Sequence, residues 1–260
     1  MRALLNLTGF PLAAPSANLS GRPSPTTADH VLQDLKGRVR CILDDGDACQ
    51  NGLESTVIDG TCDPPTLLRH GSISLATIRK VPGWASTVSI HAIKLEKQEA
   101  GASANENEDE EGHRPRTPGM KYRHYAPRGR LILLAKSDES HLCDEINALL
   151  GSATSPQSIG LLWYVPSEDA GVQTARPLPA TWTVDSKITR LSAPEKQGPS
   201  RHRLHVYKVV GGPDLYAHYL FHALRWFDDQ ECDDIFACPC MADGVGDAVM
   251  ERLRKAARGT

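Results

Sequence analysis

The sequence predicts an α/β protein built in two parts around an acidic linker, and three observations carry that expectation. First, 260 residues exceed the roughly 100–150 of a typical single domain. Second, short apolar runs alternate with amphipathic stretches on both sides of the middle of the chain. Third, the composition changes at Glu96: "EKQEAGASANENEDEEGHRPRTPG" has almost no apolar residues, and five of the six residues from Glu106 to Glu111 are acidic. That is the composition of a disordered linker. The parts are therefore expected at 1–91 and 131–260, with residues 92–130 joining them.

In the first part, "SPTTADHVLQDLKG" carries helix punctuation, with Ser24 as N-cap, Pro25 at the first helical position and Gly37 beyond the end. A helix from about Thr26 to Lys36 follows, with Val31, Leu32 and Leu35 on its apolar face. "RVRCILDDG" reads as a strand ending in a turn, and "ESTVIDG" as a second strand around Val57 and Ile58. "PPTLLRHGSIS" gives a third, followed by a helix capped by Ser74 and anchored by Leu75, Ile78 and Val81. Three strands and two helices make a thin domain.

The linker ends in "PGMKYRHYAPRGR", where Lys121, Arg123, Arg128 and Arg130 surround Tyr122, His124 and Tyr125. Such a mixture suits phosphates and flat rings, and it also suits bracing against the acidic stretch before it. The second part opens with the strand "LILLA" and the helix "DESHLCDEINALLG". "SIGLLWYV" is the next strand, and a more irregular, polar stretch follows. "GPDLYAHYLFHALRWFDDQ" is an amphipathic helix through Leu215, Tyr219, Leu220, Leu224 and Phe227. "DDIFACP" is a strand and "DGVGDAVMERLRKAA" a terminal helix, an order that suggests a small doubly wound sheet.

Composition narrows the function. Apolar residues make up 40% and charged residues 23%, as in a soluble globular protein, and no apolar run approaches the ~20 residues of a membrane span. "MRALLNLTGF" fits neither a signal peptide nor a transit segment, so a cytoplasmic protein is the default expectation. A net charge of −3 argues against a globally basic nucleic-acid binder and leaves room for a local patch. Seven cysteines, an odd and scattered set, do not make a disulfide framework. Cys232, Cys238 and Cys240 in "ECDDIFACPC" lack the CxxC spacing of a zinc site, so no metal ligand is assigned. Nor do the ten histidines fall into a Ser/His/Asp order, and no catalytic nucleophile is assigned.

Four motifs in register, "PLAAPSANLSGRPSPT", "ESTVID", "LLRHG" and "PGMKYRHYAP", resemble the threonylcarbamoyl-AMP synthase family in its two-domain form. The terminal helix is similar to that family's last helix. The resemblance implies a partial YrdC-like α/β domain linked to a small Rossmann-like domain. It also implies a nucleotidyltransferase that condenses L-threonine, bicarbonate and ATP into threonylcarbamoyl-adenylate, releasing pyrophosphate. ATP enters as substrate with magnesium, no cofactor is tightly bound, and the product feeds N6-threonylcarbamoyl modification of tRNA adenosine.

Carried over residue by residue, the resemblance places Ser16, Ser24, Arg69, His124 and Tyr125 at ATP, and Ala14 and Ser55 at threonine. Hydroxyls and loop amides can hold phosphate oxygens, and a guanidinium suits bidentate contact. Local alternatives stand beside each: "SANLSG" as an ordinary turn, Ser24 as a helix cap, Arg69 in a surface salt bridge. His70 stands where the family usually has proline, which is expected to loosen the turn that aims Arg69. "KYRHY" resembles the segment that folds over the nucleotide and excludes water from a hydrolysable anhydride.

In the family, "PSAN" lies past the middle of the YrdC-like domain, after strands and basic residues that grip the substrates; here only Arg2 precedes Pro11 as a basic residue. A truncated member is therefore expected, with a well-folded second part and a first part that is poorly ordered or completed by another chain or a second copy. Two alternative functions are a double-stranded RNA or tRNA-binding module and a catalytically inactive regulatory fragment.

Overall fold

Alternation of strands and helices produces two separate sheets in the computed structural model, which describes residues 2–44, 46, 52–90, 124–152, 155, 157–167, 174–177, 182–184 and 202–257. The expected acidic stretch lies outside these residues, as do Lys121, Tyr122 and Arg123.

Helices α1 (Arg2–Thr8) and α2 (Ala28–Leu35) precede a small mixed sheet. Its strands are β1 (Val57–Asp59), β2 (Thr66–Arg69) and β3 (Val88–Ser89), in that order, with β1 antiparallel and β3 parallel to β2. Between β2 and β3 runs α3 (Leu75–Arg79), capped as expected by Ser74, whose hydroxyl accepts from the Thr77 amide.

Three expectations for this region are corrected. The cap of α2 is Thr27, whose side chain accepts from the His30 amide, while Ser24 lies outside the helix and points to another partner. The buried face is also rotated from the expected one: Leu32 is 48% exposed and Val31 and Leu35 are half-buried, whereas His30 and Asp34 are buried. "RVRCILDDG" forms no strand among its described residues, and Val39 and Leu43 are exposed. Alternating apolar residues there have no facing strand to pair with, so propensity alone does not fix them.

The second sheet is built from β4 (Arg130–Leu133), α4 (Glu139–Ser152), β5 (Ser158–Pro166), β6 (Thr174–Pro177), β7 (Trp182–Val184), β8 (His202–Gly211), α5 (Pro213–Asp229), β9 (Asp234–Ala237) and α6 (Val245–Ala257). Strands β4, β9, β5 and β8 lie side by side and parallel, and β6 and β7 pair antiparallel with successive stretches of β8. The crossover from β4 to β5 steps over β9 in one direction, and the crossover from β8 to β9 steps back over β5. Because such crossovers are right-handed, opposite steps place α4 and α5 on opposite faces, the doubly wound arrangement.

The core belongs to this sheet. Leu131, Leu161, Val209 and Ile235 are completely buried beneath Leu142 and Ile146 of α4, Leu220 and Phe227 of α5, and Val249 and Leu253 of α6. Each such side chain contributes about 1.5–3 kcal/mol on leaving water. From the residues before 124, only Leu53 joins this cluster among the described residues. Its neighbour Gly52 has φ +65°, and a Cβ there would overlap the His218 backbone of α5, so only glycine lets the loop come this close.

Candidate functional site

The close approach that begins at Gly52 brings the "ESTVID" and "LLRHG" segments against α6. Gly71 packs on the Glu54–Thr56 backbone so tightly that any Cβ would collide with the Thr56 amide. This juxtaposition aims Arg69 at the neighbouring strand. Its Nε and Nη2 donate to the Ser55 carbonyl at 3.1 and 2.9 Å, and Nη2 also reaches the Ser55 hydroxyl at 3.2 Å.

Glu54 is the hub. One carboxylate oxygen accepts from Ser24 Oγ at 2.6 Å; the other accepts from Arg252 Nε and Nη2 at 3.1 and 3.0 Å. The Arg252 side chain is 1% exposed, and it also donates through Nη1 to the His70 carbonyl at 2.5 Å. Such a buried guanidinium is tolerable only with its donors satisfied.

Tyr125 closes the cluster from the other side. Its φ of 62° is unusual for a bulky residue and is held by the Ala126 amide, which donates to the Gly21 carbonyl at 2.9 Å. The ring is buried against Phe221, with the Arg252 guanidinium 5.7 Å from its centroid and His124 5.3 Å away. Burial, reinforced by Glu54, raises the Tyr125 phenol above its usual range and keeps it protonated. Burial together with Lys255 lowers His124 below the usual imidazole value, which holds it neutral at pH 7.

Ser24, Ser55, Arg69, His124 and Tyr125 thus meet at one place. Ser16 and Ala14 lie on an exposed segment without regular secondary structure, and no described hydrogen bond ties either to the cluster. The effect expected of His70 is also corrected. Its amide donates to Glu251 Oε2 at 3.2 Å, a bond proline cannot make, so the histidine ties the turn to α6. Cys232, Cys238 and Cys240 make no described hydrogen bond to this cluster, and burial pushes their thiols up to about 12. Among the described residues no group of three His, Cys, Asp or Glu side chains can hold a metal ion, and no helix is long and apolar enough to cross a membrane.

Sequence reasoning missed Glu54, Glu251 and Arg252. The available signal was the charged run "ERLRK" on a helix whose other residues, Asp247 aside, are small or apolar, because a buried helix face carrying Glu and Arg needs partners elsewhere.

Two family profiles divide the chain. Residues 1–71 match the family described as "Telomere recombination", and residues 73–258 match the C-terminal domain of threonylcarbamoyl-AMP synthase. The chain belongs to the threonylcarbamoyl-AMP synthase family. It is 43% identical over 163 residues to the threonylcarbamoyl-AMP synthase of Schizosaccharomyces pombe, covering 62% of this chain and 37% of that protein. It is 36% identical to that of Bacillus subtilis over 99% of this chain and 60% of the relative, and 33% identical to that of Pyrococcus abyssi over 97% and 59%. The crystal structure of P. abyssi Sua5 complexed with L-threonine superimposes with a TM-score of 0.63 at 32% identity, over 98% of this chain and 60% of that one. The chain therefore spans from about a third to three fifths of the length of these family members.

Proposed function

We propose that the cluster around Glu54 is part of a threonylcarbamoyl-adenylate-forming site that takes ATP, L-threonine and bicarbonate. The observation that carries this reading is the convergence of Ser24, Ser55, Arg69, His124 and Tyr125, drawn from four separated motifs, on one ion-paired hub. In the reaction, the threonine amine and bicarbonate give a carbamate with loss of water, and a carbamate oxygen attacks the α-phosphorus of ATP. Pyrophosphate leaves, and a mixed anhydride with AMP remains. Such chemistry needs positioning and charge neutralisation rather than a protein nucleophile. Arg69, held by Ser55, supplies the positive charge beside the phosphates. Ser24 and Ser16 supply hydroxyls, and Ala14 and Ser55 meet threonine. His124 and Tyr125 cover the nucleotide and exclude water from the anhydride. Magnesium enters as part of the nucleotide substrate, and the product serves tRNA modification in the cytoplasm.

The test is formation of threonylcarbamoyl-adenylate from ATP, L-threonine and labelled bicarbonate by the purified chain. Wild type yields product, and Arg69→Ala lowers its rate by about 10²-fold, as expected when one preorganised donor is removed. No product from a chain with cooperative unfolding, or equal product from Arg69→Ala, overturns the assignment.

A further inference from the structure

A cavity opens at the carboxyl ends of β4, β5, β8 and β9, and none of the Glu54 cluster's residues lines it. It has a volume of about 710 Å³, within the range of small-molecule sites. Its lining comes from every strand-to-helix turn of the parallel sheet: residues 135–138 after β4, Tyr164 and Pro166 of β5, 211–213 after β8, and 239–243 after β9. β4 and β9 are neighbours, yet α4 leaves to one face while α6 packs beside α5 on the other. This is the switch point at which open α/β sheets hold ligands.

Two features show that the cavity is equipped for a ligand. Tyr164 is 3% exposed, with its ring stacked on Tyr216 at 4.6 Å, but it lines the cavity, and no hydrogen bond to its hydroxyl is found among the described residues. Burial pushes this phenol up to about 12, so it remains a donor. A phenol donor that opens on the cavity without a protein acceptor suits an acceptor on a ligand. The second feature is the first turn of α5. Its N-cap, Gly212, makes no side-chain cap, and Pro213 has no amide of its own, so the turn presents the amides of Gly212 and Asp214 together with the helix dipole. The start of α4 differs, because Asp138 Oδ1 already takes the His141 amide at 2.9 Å.

The charges set the ligand class. Lys136 is the single basic residue of the lining, which also carries Asp138 and Asp243. One cation and one open helix start suit one phosphate group, while the carboxylates suit ribose hydroxyls and disfavour a polyphosphate. Pro166, Pro213, Pro239 and Met241 offer flat apolar surface to a base. We propose that this cavity binds a nucleoside monophosphate, with its phosphate on the α5 start and Lys136, its ribose on the aspartates, and its base on the prolines. The site is separate from the Glu54 cluster and does not depend on the function proposed for it.

Isothermal titration of the full chain with AMP tests the proposal, using Arg69→Ala to remove the contribution of the Glu54 cluster. Arg69→Ala is expected to keep AMP binding and to bind ATP more weakly than AMP. Gly212→Asp, in the Arg69→Ala background, is expected to weaken AMP by about tenfold or more, since aspartate caps the same amides and repels the phosphate. A Cβ at Gly212 meets nothing within 4 Å and its backbone is extended, so this variant folds at least as well as its parent. Lys136→Glu, on an exposed residue, is expected to act in the same direction. AMP binding that is absent from Arg69→Ala, or unchanged by both cavity variants, overturns the site. Adenosine binding as tightly as AMP, or inorganic phosphate displacing AMP at equal concentration, overturns the ligand class. Loss of catalysis in Arg69→Ala bears only on the Glu54 cluster.

Discussion

The two helices that face each other across the chain, α2 before the acidic stretch and α5 after it, bury opposite kinds of side chain. Helix α5 buries Leu220, Phe221, Leu224 and Phe227 in a continuous apolar core. Helix α2 buries His30 and Asp34 and leaves Leu32 in solvent, as Leu7, Phe10 and Leu43 are elsewhere in the first region. What holds α2 to α5 is a charged lattice. Asp34, with no side-chain exposure, accepts from Arg225 at 2.6 Å and from Arg22 at 3.4 Å, while Arg22 reaches Asp228 at 2.5 Å. Arg225 also donates to the Pro23 carbonyl at 2.6 Å. One region is thus held by area removed from water, the other by a few directional contacts to its neighbour. Non-directional burial tolerates the loss of any one contact; a buried ion pair does not.

The sharpest way to break this contrast is Asp34→Ala. It leaves Arg225 buried without its carboxylate, a loss of about 3–5 kcal/mol. Because the core of the second sheet does not use Asp34, the loss is expected to fall on α2 alone. Native-state hydrogen exchange should show α2 amides losing protection while β5 and β8 keep theirs. Equal loss in both would mean that the two regions unfold as one unit. The complementary change, Leu161→Ala, opens a cavity in the second sheet at about 2–5 kcal/mol and is expected to lower protection throughout.

Acid sharpens the comparison next. Burial first, then Arg225 and His222, lower the His30 pKa to about 4. A histidine kept neutral in the fold binds fewer protons than in the unfolded chain. Its contribution is therefore complete above its ordinary value of about 6.5 and declines as pH falls toward 4. Burial works against the Asp34 carboxylate, but the Arg225 hydrogen bond and charge outweigh it and hold its pKa below the usual value. Its contribution is complete above about 3.9 and is lost as pH drops through the lowered value. Protection of α2 should accordingly weaken between pH 6.5 and 4, before β5 responds, and His30→Gln should flatten that slope. An unchanged slope in His30→Gln would remove His30 from the account.

Elements whose signal is local were legible. β1, β2, β4, β5 and β9 and helices α3 to α6 lie where period and punctuation put them. β8 was hidden within a polar stretch. Arg203 and Lys208 interrupt its apolar pattern, and only the fold reveals that Lys208 lies 4.1 Å over the Trp163 ring while His202 and His205 are buried. The rotated face of α2 was hidden for the same reason, since its ion-pair partner is 191 residues away. In the site, motif residues such as Arg69 and Ser55 announced themselves, but Glu54 gains meaning only through Arg252, 198 residues on. Contacts of that range leave no periodicity to read.

The smallest effect is local to the first region and tests whether that region has stability of its own. Ser74 caps α3 by accepting from the Thr77 amide at 3.2 Å, in an exposed setting remote from the ion pairs. Ser74→Ala leaves that amide to water and is expected to remove about 1 kcal/mol from α3. If the first region folds cooperatively around β1–β3, that loss should appear equally in the exchange of β2 amides, whose Leu67 and Leu68 are buried. If only α3 amides respond, the segment is a set of pieces held separately, and the second sheet supplies what cooperativity the chain has.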